Sequence, residues 1–64
     1  MRIERIKTSE VQVGDSIRFH PSDEWCMVAE IVPDAVDEGY FEIIDTEGNG
    51  ELVDDTESVE VMRD

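Results

Sequence analysis

The chain has 64 residues, 39% of them hydrophobic, with one Trp, one Tyr and two Phe. A chain of this size buries only about 60% of its unfolded surface, which allows one small core and no deep substrate cavity. Its formal net charge is −13, from 18 acids against 5 bases. That excludes direct binding of nucleic acid or an anionic membrane and points to basic partners.

The charge is unevenly placed. Residues 1–7 hold Arg2, Arg5 and Lys7 against Glu4, a net of +2; residues 8–33 net −4; residues 34–64 carry twelve acids against Arg63, a net of −11. In chain order, residues 1–7 read as a basic edge strand or arm, with Ile3 and Ile6 as its apolar members. Thr8-Ser9-Glu10 is a polar break, and Val11 to Asp15 leads into a Gly-Asp turn. Residues 15–20 alternate, with Ile17 and Phe19 inward and Ser16, Arg18 and His20 outward. After the loop 21–24, residues 25–32 are nearly continuous in apolar side chains. Pro33 ends that run after eight residues, so it predicts a central strand covered on both faces. Residues 34–38 form an acidic loop.

The stretch 39–54 is the strongest signal. Two apolar-containing runs flank Glu47-Gly48-Asn49-Gly50, residue types that tolerate the positive φ of tight turns, so it reads as a β-hairpin. A two-residue Asn49-Gly50 loop would set Asp45 against Asp54, and like charges directly opposite are destabilising. A turn centred on Gly48-Asn49 sets Ile44 against Val53 and is the expected register. Asp55-Thr56-Glu57 can form one helical turn, and residues 58–62 alternate again with Val59 and Val61 inward. The expected core is Ile17, Phe19, Val28, Ile31, Phe41, Ile43, Leu52, Val59 and Val61. The whole is an all-β domain spanning 1–64, five or six short strands joined by polar loops, which closes into a small barrel and so removes exposed edges.

Val13-Gly14-Asp15-Ser16-Ile17-Arg18-Phe19, then Trp25 opening a long strand, then the hairpin and Val59-Glu60-Val61, resemble the SH3-like barrel superfold, with a strand order similar to Tudor-type domains. The resemblance covers residues 11–62 and implies a five- to six-stranded SH3-like barrel. It further implies a module that takes a basic or methylated peptide on aromatic side chains. Trp25 and Tyr40 are the anchors available for that role, because Phe19 and Phe41 are needed in the core; Trp25 reads also as a core or barrel-mouth residue that supplies buried area.

No constellation carries catalysis. Asp45, Glu47 and Asn49 imitate the start of an EF-hand loop, but its twelfth place, which needs a bidentate Glu, is Thr56. His20 and Cys26 are each alone, short of the four ligands of structural zinc. Cys26 lies in an apolar run, where an inert thiol is expected. One cysteine also excludes an internal disulfide and suits a reducing compartment. No leader pattern follows Met1 and no apolar run reaches membrane-spanning length. The expectation is a cytoplasmic, non-enzymatic binding domain without cofactor or metal.

Three explanations fit the charge. A solubilising surface needs a magnitude of only about 2–8. Adaptation to high salt fits one Lys against four Arg and many acids. Mimicry of nucleic acid fits the linear charge density. Thirteen charges correspond to roughly 22 Å of duplex at one per about 1.7 Å, and a domain of this length is about 25–30 Å across. The leading reading is an acidic interaction or inhibitor protein that docks on a basic, nucleic-acid-binding partner. Its candidate contact residues are Asp34, Asp37, Glu38, Glu42, Glu47, Glu51, Asp54, Asp55, Glu57 and Glu60. The sequence leaves the oligomeric state open.

Overall fold

The computed structural model describes residues 2–63; Met1 of the basic N-terminal strand and Asp64 lie outside the described residues. Six strands, β1 (Arg2–Lys7), β2 (Ser16–Arg18), β3 (Cys26–Pro33), β4 (Tyr40–Asp45), β5 (Gly50–Asp54) and β6 (Ser58–Arg63), form one antiparallel sheet. The strand order is β1-β6-β2-β3-β4-β5. The sole helical element among the described residues is a 3₁₀ turn, Thr8–Glu10. Among the described residues no helix is long and apolar enough to cross a membrane. The chain is therefore all-β, as its alternating runs predict, and the basic N-terminal segment is an edge strand.

The sheet is not closed. β1 and β5 end the order and share no ladder, so the closure expected from the strand count is absent from the strand pairing. A smaller link spans the gap instead. Thr8, only 1% exposed, donates its hydroxyl to the Asp54 carbonyl and its N–H to the Glu57 carbonyl at 3.0 Å. The helical turn thus falls at the expected polar break, while residues 55–57 make an ordinary turn.

β3 belongs to both halves of the sheet. Cys26 and Met27 pair with Ile17 and Ser16 of β2. Val28 and residues 30–33 pair with β4, with a slip between Val28 and Glu30. That bulge bends the strand so that one strand serves two differently oriented halves. The expectation that β3 is covered on both faces fails: Met27 and Val32 are exposed, and only Val28 is fully buried. A chain of 64 residues has no second layer to lay over the outer face.

Period-two alternation places Val11, Ile17, Val28, Ile43, Val53, Val59 and Val61 in the core, with Ile6, Phe19, Ile31 and Phe41 packed against it. All seven buried apolar residues are β-branched, the type that packs best on a pleated surface. Leu52, expected inside, is 51% exposed, while Val53 is 1% exposed. The hairpin register explains the exchange. Phe41 pairs with Val53, Glu42 with Leu52, Ile43 with Glu51 and Ile44 with Gly50, so the expected Ile44–Val53 pairing is wrong. The loop is residues 46–48, closed by the Asp45 N–H donating to the Asn49 carbonyl at 2.9 Å. Gly48 supplies the positive φ of 86°, the three-residue hairpin with a left-handed third residue.

Candidate functional site: an acid-rimmed groove beside the fifth strand

Every base lies in one half of the sheet: Arg2, Arg5 and Lys7 on β1, Arg18 on β2 and Arg63 on β6. Residues 26–54, which build β3, β4 and β5, contain nine acids and no base. Within the basic half the cations are largely occupied. Arg63 meets Asp15 at 3.0 Å, and Arg2 meets Glu4 at 3.4 Å. Glu60 lies between Arg18 at 3.4 Å and Arg5 at 3.7 Å. The Arg18 guanidinium also lies over the Trp25 ring, 4.4 Å from its centroid, in cation–π range. The Arg18 Nε–Glu60 Oε1 contact is an ion pair without hydrogen-bond geometry.

In the acidic half, side chains first organise the turns. The Asp45 carboxylate accepts the N–H groups of Glu47 and Asn49, each at 2.9 Å. The Asn49 bond is foremost in holding its carboxyl below the usual carboxylate range, because each N–H favours the charged form. Asp34 does the same for the β3–β4 loop: the Val36 N–H at 2.8 Å, then the Asp37 N–H at 3.2 Å, hold its carboxyl down. Asp54 accepts from the Thr56 hydroxyl and N–H, and the hydroxyl chiefly lowers its carboxyl. Glu57 accepts the Asp54 N–H at 3.1 Å. These acids spend their geometry on loops.

A groove runs beside β5 on its core-facing side. Its larger part, about 350 Å³, has Ile17, Phe19, Val28 and Ile43 beneath and Asp23, Glu24, Asp45 and Glu51 around it. A second part of about 240 Å³ is lined by Phe19, His20, Asp23, Glu51, Glu57 and Ser58. The two parts adjoin at Phe19, Asp23 and Glu51, which line both. Arg18 is the one Lys or Arg on its walls, and it is engaged by Glu60 and Trp25. Cys26 also reaches the groove; burial first, and the neighbouring Asp45 charge next, push its thiol up, away from the reactive thiolate. The groove can hold a long cationic side chain, its stem on apolar groups and its head among carboxylates.

The ten candidate acids separate into places. Asp34, Asp37 and Glu38 occupy the β3–β4 loop; Glu42, Glu47 and Glu51 belong to the β4–β5 hairpin; Asp54, Asp55 and Glu57 lie at the β5–β6 turn. Glu60 stands apart on β6, committed to Arg5 and Arg18. Only Glu51 and Glu57 of the ten line the groove. Its other acids, Asp23, Glu24 and Asp45, escape sequence reasoning, although Asp23 and Glu24 follow closely on the inward-facing Phe19. Trp25 is half-buried beside the β3 terminus that pairs with β2, while Tyr40, exposed, pairs with Asp54 near the opposite β3 terminus, where Pro33 meets Phe41. They do not face one another. Among the described residues no group of His, Cys, Asp and Glu could hold a metal ion.

Compared with protein-family models, curated proteins and solved structures, the chain matches none of them.

Proposed function

We propose that this domain acts by binding rather than catalysis, docking the acidic face built on β3, β4 and β5 against a basic protein. The observation that carries this reading is the segregation of charge: nine acids and no base in residues 26–54, with all five bases in the other half of the sheet. A basic surface, such as one that otherwise holds nucleic acid, is the complementary partner. The dimensions suit it, since the molecule measures 36 × 24 × 20 Å and its net charge matches that of roughly 22 Å of duplex. The architecture we assign is an SH3-like barrel left open at one seam. The β2–β5 meander, the return of β6 to β2 and the sharing of β3 between two halves support it. So does the Thr8 link from the 3₁₀ turn to the end of β5.

The test is association kinetics with a lysine-rich peptide, followed by Trp25 fluorescence in stopped flow across a salt series. Electrostatic steering raises association by about 10–10³ and falls with salt. Asp54 and Glu57 organise the β5–β6 turn, so charge reversal belongs at exposed acids that hold no turn together. The variant Glu38→Lys, Glu42→Lys, Glu47→Lys should associate more slowly and keep its fold. Unchanged association in that variant would sink the proposal.

A further inference from the structure

β5 ends the sheet, and among the described residues no strand lies along its outer side. The register determines which backbone groups face that side. The Asp54 N–H and C=O point away from β4, since Glu57 Oε2 takes the first and the Thr8 hydroxyl donates to the second. Hydrogen-bonding direction alternates along an antiparallel strand. Leu52 and Gly50, two and four residues earlier, therefore present their N–H and C=O groups to the same side. Neither residue has a backbone or side-chain hydrogen bond on that side among the described residues.

Exposed edges are usually guarded by lysine, proline, a bulge or a covering segment. β1 at the other end of the order carries Arg2, Arg5 and Lys7. β5, Gly-Glu-Leu-Val-Asp, has no lysine, proline or bulge, and its charged side chains are all carboxylates. Carboxylates repel a second acidic edge, so pairing of β5 with β5 of another copy is opposed, because it would bring Glu51 and Asp54 of both copies together. They attract a basic one.

We propose that β5 is a docking edge that accepts an extended, Lys- or Arg-rich segment of another protein by strand addition. This deepens the function proposed above and rests on it. The added strand bonds through the N–H and C=O groups of Gly50 and Leu52. Its side chains alternate between the two faces of the sheet. Those beside Glu51 turn toward the groove, where Phe19 and Ile43 underlie the aliphatic stem and Asp23 and Glu51 receive the cationic head. Those beside Leu52 turn to the outer face, where Leu52 offers exposed apolar surface next to Glu42. The matched ligand therefore alternates basic and apolar residues. Backbone pairing supplies affinity and the alternation supplies selectivity.

The experiment uses the full chain, labelled with nitrogen-15, and a synthetic Lys-Val-Lys-Val-Lys-Val peptide. Amide hydrogen exchange at Gly50 and Leu52 should slow about fivefold at saturating peptide, the factor one net hydrogen bond supports. Leu52→Pro removes an N–H that the β4 ladder does not use, at an edge position where proline is tolerated, and should weaken the peptide about fivefold through the same bond. Binding without protection of Gly50 and Leu52, lost in the Glu38→Lys, Glu42→Lys, Glu47→Lys variant, would overturn strand addition and leave docking by the acidic face standing. No binding at low salt would remove both. Protection that rises with protein concentration in the absence of peptide would assign the edge to a second copy and overturn the proposal. Should Leu52→Pro fail to fold by circular dichroism, protection in the natural chain decides alone.

Discussion

Thr8 is the place where the open sheet can be tested for a latch. Its side chain is buried, its hydroxyl donates to the Asp54 carbonyl and its N–H to the Glu57 carbonyl. Thr8→Val keeps the β-branched shape and replaces only the hydroxyl with a methyl. One intramolecular hydrogen bond contributes about 1 kcal/mol net. Asp54 is half-buried, so water can reach its freed carbonyl and the loss stays near that value. Thr8→Ser keeps the hydroxyl and removes a methyl, about 0.8 kcal/mol by burial alone. Thr8→Ala removes both, about 2 kcal/mol in total. For a domain of this size each kcal/mol lowers the melting temperature by about 4–8 °C. Thermal unfolding by circular dichroism at one fixed salt concentration reads all three. Wild-type stability in Thr8→Val would refute the latch and leave the two edges of the sheet energetically independent.

The remaining predictions follow from burial, ion pairing and charge. Val61→Ala should cost about 2 kcal/mol, two buried methyls and a partly collapsed cavity, whereas Leu52→Ala should stay within about 0.5 kcal/mol; reversed costs in denaturant melts would restore the other hairpin register. Asp15 is held low in the folded chain first by the Arg63 guanidinium, so its contribution is present above its unfolded value and is lost as pH falls through the lower folded one, below about pH 4. Asp15→Asn should flatten that part of the stability–pH curve, and an unchanged curve would show the pair to be without effect. Salt should raise stability by screening repulsion over a Debye length of about 10 Å at 0.1 M, yet cooperative unfolding must already be visible at about 0.1 M; a chain folded only near molar salt would make the charge an adaptation to its solvent.

Much of the sheet was legible because its strands alternate. Ser16-Ile17-Arg18 and Ser58-Val59-Glu60-Val61 place apolar groups on one face with polar groups opposite, and both face as predicted. The hairpin was legible as a hairpin but not in its register. Composition shows that Gly48, Asn49 and Gly50 favour a turn; it does not show that the Asp45 carboxylate gathers the N–H groups of Glu47 and Asn49 and so closes the loop earlier. That shift decides whether Leu52 or Val53 is buried. The continuous apolar run of β3 misled for a different reason, since an eight-residue strand in so short a chain has nothing to cover its second face. The groove was illegible because Asp23, Glu24, Asp45 and Glu51 come from three separate segments and converge only when the 19–25 loop folds toward the hairpin. The open edge was illegible because strand order is a property of the whole sheet, not of any stretch.

Solvent adaptation and partner docking make different demands on where charge lies. A concentrated salt solution surrounds the molecule on every side and gives no reason to gather cations in one half. Here all five bases sit on β1, β2 and β6, four of them inside ion pairs, and residues 26–54 have no base. Acids placed without cations nearby repel one another and weaken the fold, so this arrangement carries a stability cost that interspersed charge would lessen. A partner of opposite sign removes that repulsion on contact, and the bound state gains what the free state lacks. The domain should then melt higher in complex with a lysine-rich peptide than alone, by more at low salt than at high. A salt-adapted surface with no docking role predicts the same melting temperature with and without peptide once ionic strength is matched.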